Sequence, residues 1–273
     1  MSSSPDSIDD IVLYYSQNQE EGRVQRHQLE FALMEKIIQT YLSKNPLRIL
    51  EIGAGPGRYT RKLAQMGHEV VAVEPVPALV QENLKAAKEL KLEDKIKVVQ
   101  GEAREIEKIV KGPFDVILNM GPMYHLILES DRLEVLRQSH NLLKPEGLQM
   151  AVFLSKVGYL SYLLNQQPES ILHDPEGFQS VMAHGYQESH PRQGQFRGYF
   201  LDLNEMVELH RKANWSVQKV HVLDPVIAGR DESFNGLSDD LKLLWSEILF
   251  TMSSDPNYWN TGRTWLALSI KSA

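Results

Sequence analysis

The segment from Leu47 to Thr60 constrains the fold of this chain most, because it joins an apolar run to a glycine-rich turn. The apolar run, LRILEI, predicts a buried strand, and glycines follow it at Gly53, Gly55 and Gly57. These glycines and Ala54 remove side-chain bulk, so a ligand can lie against the backbone and the N-terminus of the next helix. The segment therefore predicts a strand, a turn and a helix that together bind a nucleotide cofactor.

The spacing of the glycines separates two classes of cofactor. The dinucleotide fingerprint needs G-x-G-x-x-G, with its third glycine beside a pyrophosphate, whereas this chain has Arg58 at that position. An NAD-dependent oxidoreductase is therefore disfavoured. Glu51 places negative charge at the mouth of the loop, which suits S-adenosylmethionine, whose sulfonium and ammonium groups are cationic. We expect Glu51 to receive that ammonium group, and the alternative is that it accepts hydrogen bonds from loop amides.

A second carboxylate follows about twenty residues after the glycines. In nucleotide-binding folds of this kind, an acidic residue at that spacing accepts hydrogen bonds from the ribose hydroxyls. The run EVVAVE predicts a short buried strand that ends in Glu74. We expect Glu74 to bind both ribose hydroxyls, and the alternative is a solvated charge at the end of a strand. Pro75 and Val76 follow it, and Val76 is expected to cover the adenine face.

Five segments resemble the class I S-adenosylmethionine-dependent methyltransferases: EIGAGPGRYT, VVAVEP, QGEAREI, FDVILNMGPMYHL and LLKPEGL. They lie between Leu47 and about Leu148, and GAGPGRY and GPMYHL are similar to the small-molecule branch related to the ubiquinone and menaquinone biosynthesis enzymes. The resemblance implies methyl transfer from S-adenosylmethionine to O, N or C of a small organic acceptor, with release of S-adenosylhomocysteine. It also implies a doubly wound α/β fold with a seven-stranded, mostly parallel sheet and a helical cap insertion.

The resemblance implies further cofactor contacts after the third and fourth strands. Glu102 and Ala103 stand where the family holds the adenine amino group, although Glu102 is not the commonest residue there. Its carboxylate, or the Ala103 amide, is expected to make the contact, and the alternative for Glu102 is a helix N-cap. Asn119, Met120 and Gly121 end the fourth strand, where a backbone carbonyl is expected to hold the cofactor amino group.

Methyl transfer is accelerated chiefly by holding the nucleophile, the methyl carbon and the sulfur in line, and a general base is optional. His125 is the candidate base because it follows the fourth strand and can titrate near neutral pH. Its alternative function is structural, through hydrogen bonds to the loop backbone. In the resembling family the N-terminal region folds over the methionine end of the cofactor and the acceptor. Tyr15 is therefore expected to contact ligand there and Arg23 to pair with the cofactor carboxylate, with surface packing as the alternative for both.

Periodic apolar residues from Glu21 to Leu42 predict an amphipathic helix within an N-terminal helical segment, residues 1–45. Strands and helices then alternate, which predicts a parallel sheet with right-handed crossovers. A helical cap at residues 155–200 and a second helical insertion at 234–256 interrupt the alternation, and residues 1–273 are expected to form a single methyltransferase domain. The predicted strands are Arg48–Gly53, Val70–Glu74, Ile96–Gln100, Phe114–Asn119, Leu148–Leu154, Val217–Leu223 and Thr264–Ile270.

The presence of the predicted cap indicates that the methyl acceptor is a small molecule in an enclosed pocket. The cap interrupts the fold at the sheet edge where the methyl group is expected, so it would exclude both water and large substrates. Its aromatic residues supply apolar surface for a pocket, although packing is their alternative function. These residues are Tyr159, Tyr162, Phe178, Phe196 and Tyr199.

The composition favours a soluble cytoplasmic enzyme that acts on a small molecule. The 273 residues include no cysteine, which excludes disulfides, thiolate metal ligands and a cysteine nucleophile. A net charge of −7 disfavours nucleic acid as a partner. The N-terminus lacks the pattern of a signal peptide, and no stretch is apolar enough for a membrane span. No metal site is predicted, because His184 and His190 lack ligand partners at a recognisable spacing.

Two other functions stay open within the same resemblance: a methyltransferase that acts on a protein side chain, and a catalytically silent protein that binds S-adenosylmethionine. The chain lacks the N/D-P-P-Y tetrapeptide after its fourth strand, which disfavours methylation of adenine N6. The acceptor, the atom methylated and the oligomeric state do not follow from the sequence.

Overall fold

A mostly parallel sheet forms the centre of the protein, and helices pack on both of its faces. The computed structural model describes residues 7–17, 20, 22–186 and 196–272. The strands are β1 (Arg48–Ile52), β2 (Glu69–Glu74), β3 (Ile96–Gln100), β4 (Phe114–Asn119), β5 (Leu143–Ser155), β6 (Phe200–Leu201), β7 (Trp215–Val222) and β8 (Thr264–Lys271). The helices are α1 (Ile8–Tyr15), α2 (Arg23–Arg26), α3 (Gln28–Tyr41), α4 (Arg58–Gln65), α5 (Pro77–Glu89), α6 (Ile106–Ile109), α7 (Pro122–His125), α8 (Glu129–Leu142), α9 (Lys156–Gln166), α10 (Ser170–His173), α11 (Pro175–His184), α12 (Leu203–Lys212), α13 (Asp231–Asn235) and α14 (Asp239–Ser253). Short 3-10 helices span Ala103–Glu105 and Pro256–Thr261.

The strands lie in the order β3-β2-β1-β4-β5-β8-β7, and β6 pairs with β5 outside that path. Strand β1 is parallel to its neighbours β2 and β4, whereas β8 is antiparallel to β5 and β7. The predicted doubly wound α/β fold and all of its predicted strands are confirmed. Strand β6 was not predicted, because two residues are too short to show the alternation that marks a strand.

Strand β1 contributes to the cores on both sides of the sheet, because successive side chains of a strand point to opposite faces. Ile49 packs in the core that α3, α4 and α14 cover, whereas Leu50 and Ile52 pack in the core covered by α8 and α12. Glu51 points to the same side as Ile49 and lies beside α4. The glycines follow at the carboxyl end of β1, where open α/β sheets bind ligands.

The N-terminal segment differs from the single helix predicted for residues 21–42. Gly22 has a left-handed conformation with φ of 66°, and α2 begins after it. His27 then interrupts the helix, and its Nδ1 lies 2.8 Å from a carboxylate oxygen of Asp231. A tertiary contact thus overrides the apolar periodicity, which is a weak guide to where one helix ends and another begins.

Both predicted insertions contain helices. Helices α9, α10 and α11 lie in residues 155–200, while residues 187–195, which include His190, lie outside the described part of the chain. Helix α14 lies in residues 234–256, and its Glu247 forms an ion pair with Lys36 of α3. In the part of the chain that the structure describes, no helix is long and apolar enough to cross a membrane.

Candidate cofactor and acceptor site

A cleft lies at the carboxyl ends of the central strands, between the sheet and the N-terminal helices. Helix α1 covers it with Ile8, Ile11 and Tyr15. The predicted site residues that line the cleft are Tyr15, Arg23, Glu51, Gly53, Ala54, Gly55, Glu74, Pro75, Glu102, Ala103, Met120, Gly121 and His125. The structure thus brings most of the predicted residues into one place, and Gly57, Val76 and Asn119 lie outside the lining.

The glycine turn has two functions in the structure. Gly53 and Gly55 have left-handed backbones, with φ of 75° and 55°, and a Cβ at Gly55 would meet no atom within 4 Å. The space in front of Gly55 is therefore open to a ligand. A Cβ at Gly57 would lie 2.0 Å from Oδ1 of Asn83 in α5, so this glycine allows α4 and α5 to pack closely. This packing function accounts for the glycine, and its contact with the cofactor stays a prediction.

Glu74 ends β2, and its carboxylate accepts hydrogen bonds from the backbone N–H groups of Gly55 at 2.8 Å and Val76 at 3.0 Å. Burial raises the pKa of Glu74 to about 7, although the two hydrogen bonds oppose the rise. Each carboxylate oxygen can accept another hydrogen bond, as the predicted contact with ribose requires. Pro75 lines the cleft, whereas the side chain of Val76 is fully buried in the core instead of covering an adenine site.

Glu51 has one satisfied and one unsatisfied carboxylate oxygen. Thr60 Oγ1 in α4 donates to Oε2 at 2.5 Å, while Oε1 is buried and has no hydrogen-bond partner among the described residues. Burial raises the pKa of Glu51 to about 8, and the nearby Glu74 carboxylate adds to the rise while Thr60 opposes it. A buried acceptor without a donor is costly to a protein, and its position on a cleft points to a ligand that donates. This is the arrangement that an ammonium group requires.

Glu102 lines the cleft, but its carboxylate forms an ion pair with Arg104. Arg104 in turn lies 2.6 Å from Asp131 in α8. The Glu102 side chain caps no backbone amide, which contradicts its alternative function as an N-cap. Ala103 lines the cleft beside it, and the contact of either residue with adenine stays a prediction.

The three site residues predicted at the end of β4 lie in two different environments. Met120 and Gly121 line the cleft, and the Met120 carbonyl accepts a hydrogen bond from the Tyr124 hydroxyl at 3.2 Å. Asn119 instead points into the core, where its Nδ2 donates to Ser139 Oγ at 3.3 Å. Of this predicted group, Met120 and Gly121 line the ligand space.

His125 and Tyr15 form a buried pair at the wall of the cleft. His125 Nδ1 lies 2.8 Å from the carbonyl oxygen of Arg197, which can only accept, so Nδ1 carries the proton. The unprotonated Nε2 then accepts from the Tyr15 hydroxyl, also at 2.8 Å. Burial lowers the pKa of His125 to about 4 and raises that of Tyr15 well above its usual value, so both groups are neutral near pH 7.

Arg23 lies at the cleft, but carboxylates already surround its guanidinium. Its Nη1 is 3.4 Å from Glu20, and its Nη2 is 3.1 Å from Glu30. Glu20 also pairs with Arg58 at 2.8 Å. The predicted pairing of Arg23 with the cofactor carboxylate must therefore compete with two acids. Sequence reasoning missed Glu20 and Glu30, because no motif marks acids that only the tertiary fold brings to the cleft.

The predicted cap contributes less to the cleft than expected. Among the described residues of the range 155–200, Arg197 lines it. Tyr159 stacks on Phe200 with ring centroids 3.9 Å apart, and Arg132 lies 3.6 Å from the ring centroid of Tyr199. Tyr159 and Tyr199 thus pack against the fold, whereas the Phe196 ring centroid lies 5.5 Å from that of His125. The contact of cap aromatics with an acceptor stays a prediction.

Comparison with known proteins agrees with this geometry. Residues 49–147 match the model of the methyltransferase domain family. The chain is 29% identical over 205 residues to a ubiquinone biosynthesis O-methyltransferase of Ruegeria pomeroyi, covering 72% of this chain and 73% of that protein. It is 25% identical over 161 residues to a tRNA 5-carboxymethoxyuridine methyltransferase of Escherichia coli, covering 57% of this chain and 59% of the relative. A solved S-adenosylmethionine-dependent methyltransferase from Methanosarcina mazei has a TM-score of 0.60 at 16% identity, covering 86% of this chain and 97% of that one.

Residues 49–147 thus belong to the methyltransferase domain family, and the chain has the fold of the solved S-adenosylmethionine-dependent methyltransferase. The cofactor that the name of this neighbour gives is S-adenosylmethionine. The site fits that cofactor, since Glu51 Oε1 lacks a donor and the backbone of Gly55 faces open space. Within the described residues, no cluster of three or more His, Asp or Glu side chains could hold a metal ion.

Proposed function

We propose that this protein transfers the methyl group of S-adenosylmethionine to a small organic acceptor and releases S-adenosylhomocysteine. The observation that carries the proposal is the buried Tyr15–His125 pair, which α1 places on the wall of the same cleft as the glycine turn. A neutral imidazole whose lone pair accepts from a tyrosine hydroxyl at the cleft wall is suited to accepting a proton from a bound acceptor through that hydroxyl.

When bound, the cofactor supplies a methyl group that is already activated by its sulfonium. The residues of this chain then have to hold the acceptor in line and accept the proton that it loses. An acceptor hydroxyl or amine can donate to Tyr15 Oη while the Tyr15 proton moves to His125 Nε2. The Arg197 carbonyl, which accepts from Nδ1, would stabilise the imidazolium that forms.

The low pKa of His125, about 4, limits which acceptors this pair can serve. It keeps the imidazole neutral and available, but it also makes the imidazole a weak base. Proton transfer to a weak base becomes more favourable as the pKa of the donor falls, so we expect a phenol or an enol to be a better acceptor than an alkyl alcohol. An O-methyltransferase activity on such a group is therefore the preferred form of the proposal.

The charges around the cleft support a neutral or cationic acceptor over a polyanion. Glu20, Glu30 and Glu102 each pair with an arginine that lines the cleft, and Glu51 and Glu74 add two further carboxyl groups. With its arginines neutralised in this way, the cleft offers little attraction to a phosphate backbone. The E. coli relative named for tRNA makes RNA the main rival acceptor, and the protein side chain is the second.

The test is the release of S-adenosylhomocysteine from purified protein supplied with a small-molecule cell extract. We expect Tyr15→Phe and His125→Asn to lower the rate by about a hundredfold while binding of S-adenosylhomocysteine is unchanged. Tyr14→Phe is the matched control, because it removes a neighbouring hydroxyl that is not in the pair. Equal losses in all three variants, or losses in cofactor binding instead of rate, would make the pair structural. No product from the wild-type protein with any extract would favour the catalytically silent alternative.

A further inference from the structure

Arg197 lies between the buried Tyr15–His125 pair and α1, the helix that covers the cleft. It belongs to the segment just before β6, and its side chain is only 3% exposed. The next turn of this segment is fixed to α7, because the Tyr199 N–H donates to the Tyr124 carbonyl at 2.7 Å. Arg197 is thus a buried cation held against α7, the helix that ends in His125.

The main chain of Arg197 sets the proton position on His125. Its carbonyl oxygen accepts from Nδ1 at 2.8 Å, so the neutral ring keeps its lone pair on Nε2. This is the nitrogen that faces the Tyr15 hydroxyl. The backbone at Arg197 therefore determines which ring nitrogen can accept a proton.

The side chain of Arg197 connects the end of α7 to α1. Its Nε donates to the His125 carbonyl at 3.0 Å, and its Nη1 donates to the Ser7 carbonyl at 3.0 Å. Nη1 also lies 3.7 Å from a carboxylate oxygen of Asp10. Ser7 is the N-cap of α1 and Tyr15 is its last residue, so the guanidinium anchors the helix that carries Tyr15.

We propose that Arg197 is the positioning residue of the methyl transfer reaction, holding Tyr15 and His125 within hydrogen-bonding distance of one another. This inference rests on the proposed function, because it concerns the same buried pair. One residue acts on both partners, through its carbonyl on His125 and through its guanidinium on α1. These contacts of Arg197 are with His125 and with the start of α1, so we expect its effect to be on turnover more than on cofactor binding.

Arg197→Met removes the guanidinium and keeps an unbranched apolar side chain. We expect the rate with the small-molecule extract to fall by about tenfold to a hundredfold, since small misplacements of a reacting group have effects of that size. Binding of S-adenosylhomocysteine is expected to stay within about twofold. Arg197→Lys, which can donate to one of the two carbonyls, is expected to restore part of the rate. Combining Arg197→Met with Tyr15→Phe is expected to cost no more than Tyr15→Phe alone, since both act through one pair.

Hydrogen exchange of the α1 amides supplies a readout that does not depend on turnover. We expect faster exchange in Arg197→Met than in the wild type. Lys156→Met is the matched control, because it removes another largely buried cation, one that pairs with Asp202 and not with α1. Unchanged exchange in Arg197→Met, or full activity of that variant, would overturn the inference. An inactive wild-type protein in which Arg197→Met still loosens α1 would instead overturn the proposed function.

Discussion

Cofactor binding should release a proton from Glu51. In the free protein burial raises the pKa of this carboxyl to about 8, so the group is mostly protonated at pH 7. Its Oε1 has no donor in the described structure, and an ammonium group can bind it well only when the carboxyl is ionised. Cofactor binding and deprotonation are therefore linked, and affinity should rise with pH below about 8.

The size of the pH effect on cofactor affinity follows from the pKa of Glu51. With a pKa of about 8, Glu51 is about nine-tenths protonated at pH 7, and the apparent Kd is about elevenfold weaker than for the ionised form. At pH 6 the factor is about a hundredfold. The ligand ammonium stays protonated over this range, because an α-amino group has a pKa near 8. Glu74, with a pKa of about 7, adds its own smaller dependence.

Isothermal titration calorimetry from pH 5.5 to 7 measures this linkage. The slope of log Kd against pH should be shallower by about one in Glu51→Gln than in the wild type, because the amide cannot lose a proton. Methylthioadenosine, which lacks the amino-acid part of the cofactor, is the control ligand and should show the shallower slope with both proteins. Equal slopes for the two proteins with S-adenosylmethionine would refute the assignment of Glu51.

Three substitutions test other parts of the cleft. Gly55→Val should abolish binding of S-adenosylhomocysteine in a folded protein, because a branched side chain would fill the open space at a left-handed residue; calorimetry with unchanged affinity would contradict this. Glu74→Ala should weaken the cofactor by about 1.5–3 kcal/mol, the range for hydrogen bonds to a charged group, and a loss confined to NAD would favour an oxidoreductase. Gly57→Ala should lower the free energy of unfolding by about 1–3 kcal/mol, through its clash with Asn83, in urea denaturation. Gly67→Ala, also left-handed but with nothing within 4 Å of its Cβ, is the control and should cost less.

The sheet and the cofactor half of the cleft could be predicted from the sequence, because they depend on local signals. The apolar run before Gly53 and the acid at the end of EVVAVE define strand ends without any knowledge of distant contacts. Gly57 shows the limit of this reasoning. Spacing identifies a glycine that must lack a side chain, but only the packed structure reveals that Asn83 lies against it.

The acceptor half could be predicted only in part, because its residues come from distant parts of the chain. Tyr15 and His125 were both candidates, yet their contact across 110 positions is a property of the tertiary fold. The predicted cap supplies Arg197 to the lining of the cleft among its described residues, and an interruption in the α/β alternation does not show which other segments cover a site. Helix α1 lines the cleft with Ile8, Ile11 and Tyr15, and the Ser7 carbonyl at its start accepts a hydrogen bond from Arg197.

The most direct measurement is the distribution of label from methyl-tritiated S-adenosylmethionine among the fractions of one cell extract. The small-molecule, tRNA and protein fractions should be separated after incubation with the wild-type protein and with His125→Asn. We predict label in the small-molecule fraction, dependent on His125. Label that enters tRNA or protein as efficiently as metabolites, or no transferred label at all, would contradict a small-molecule methyltransferase.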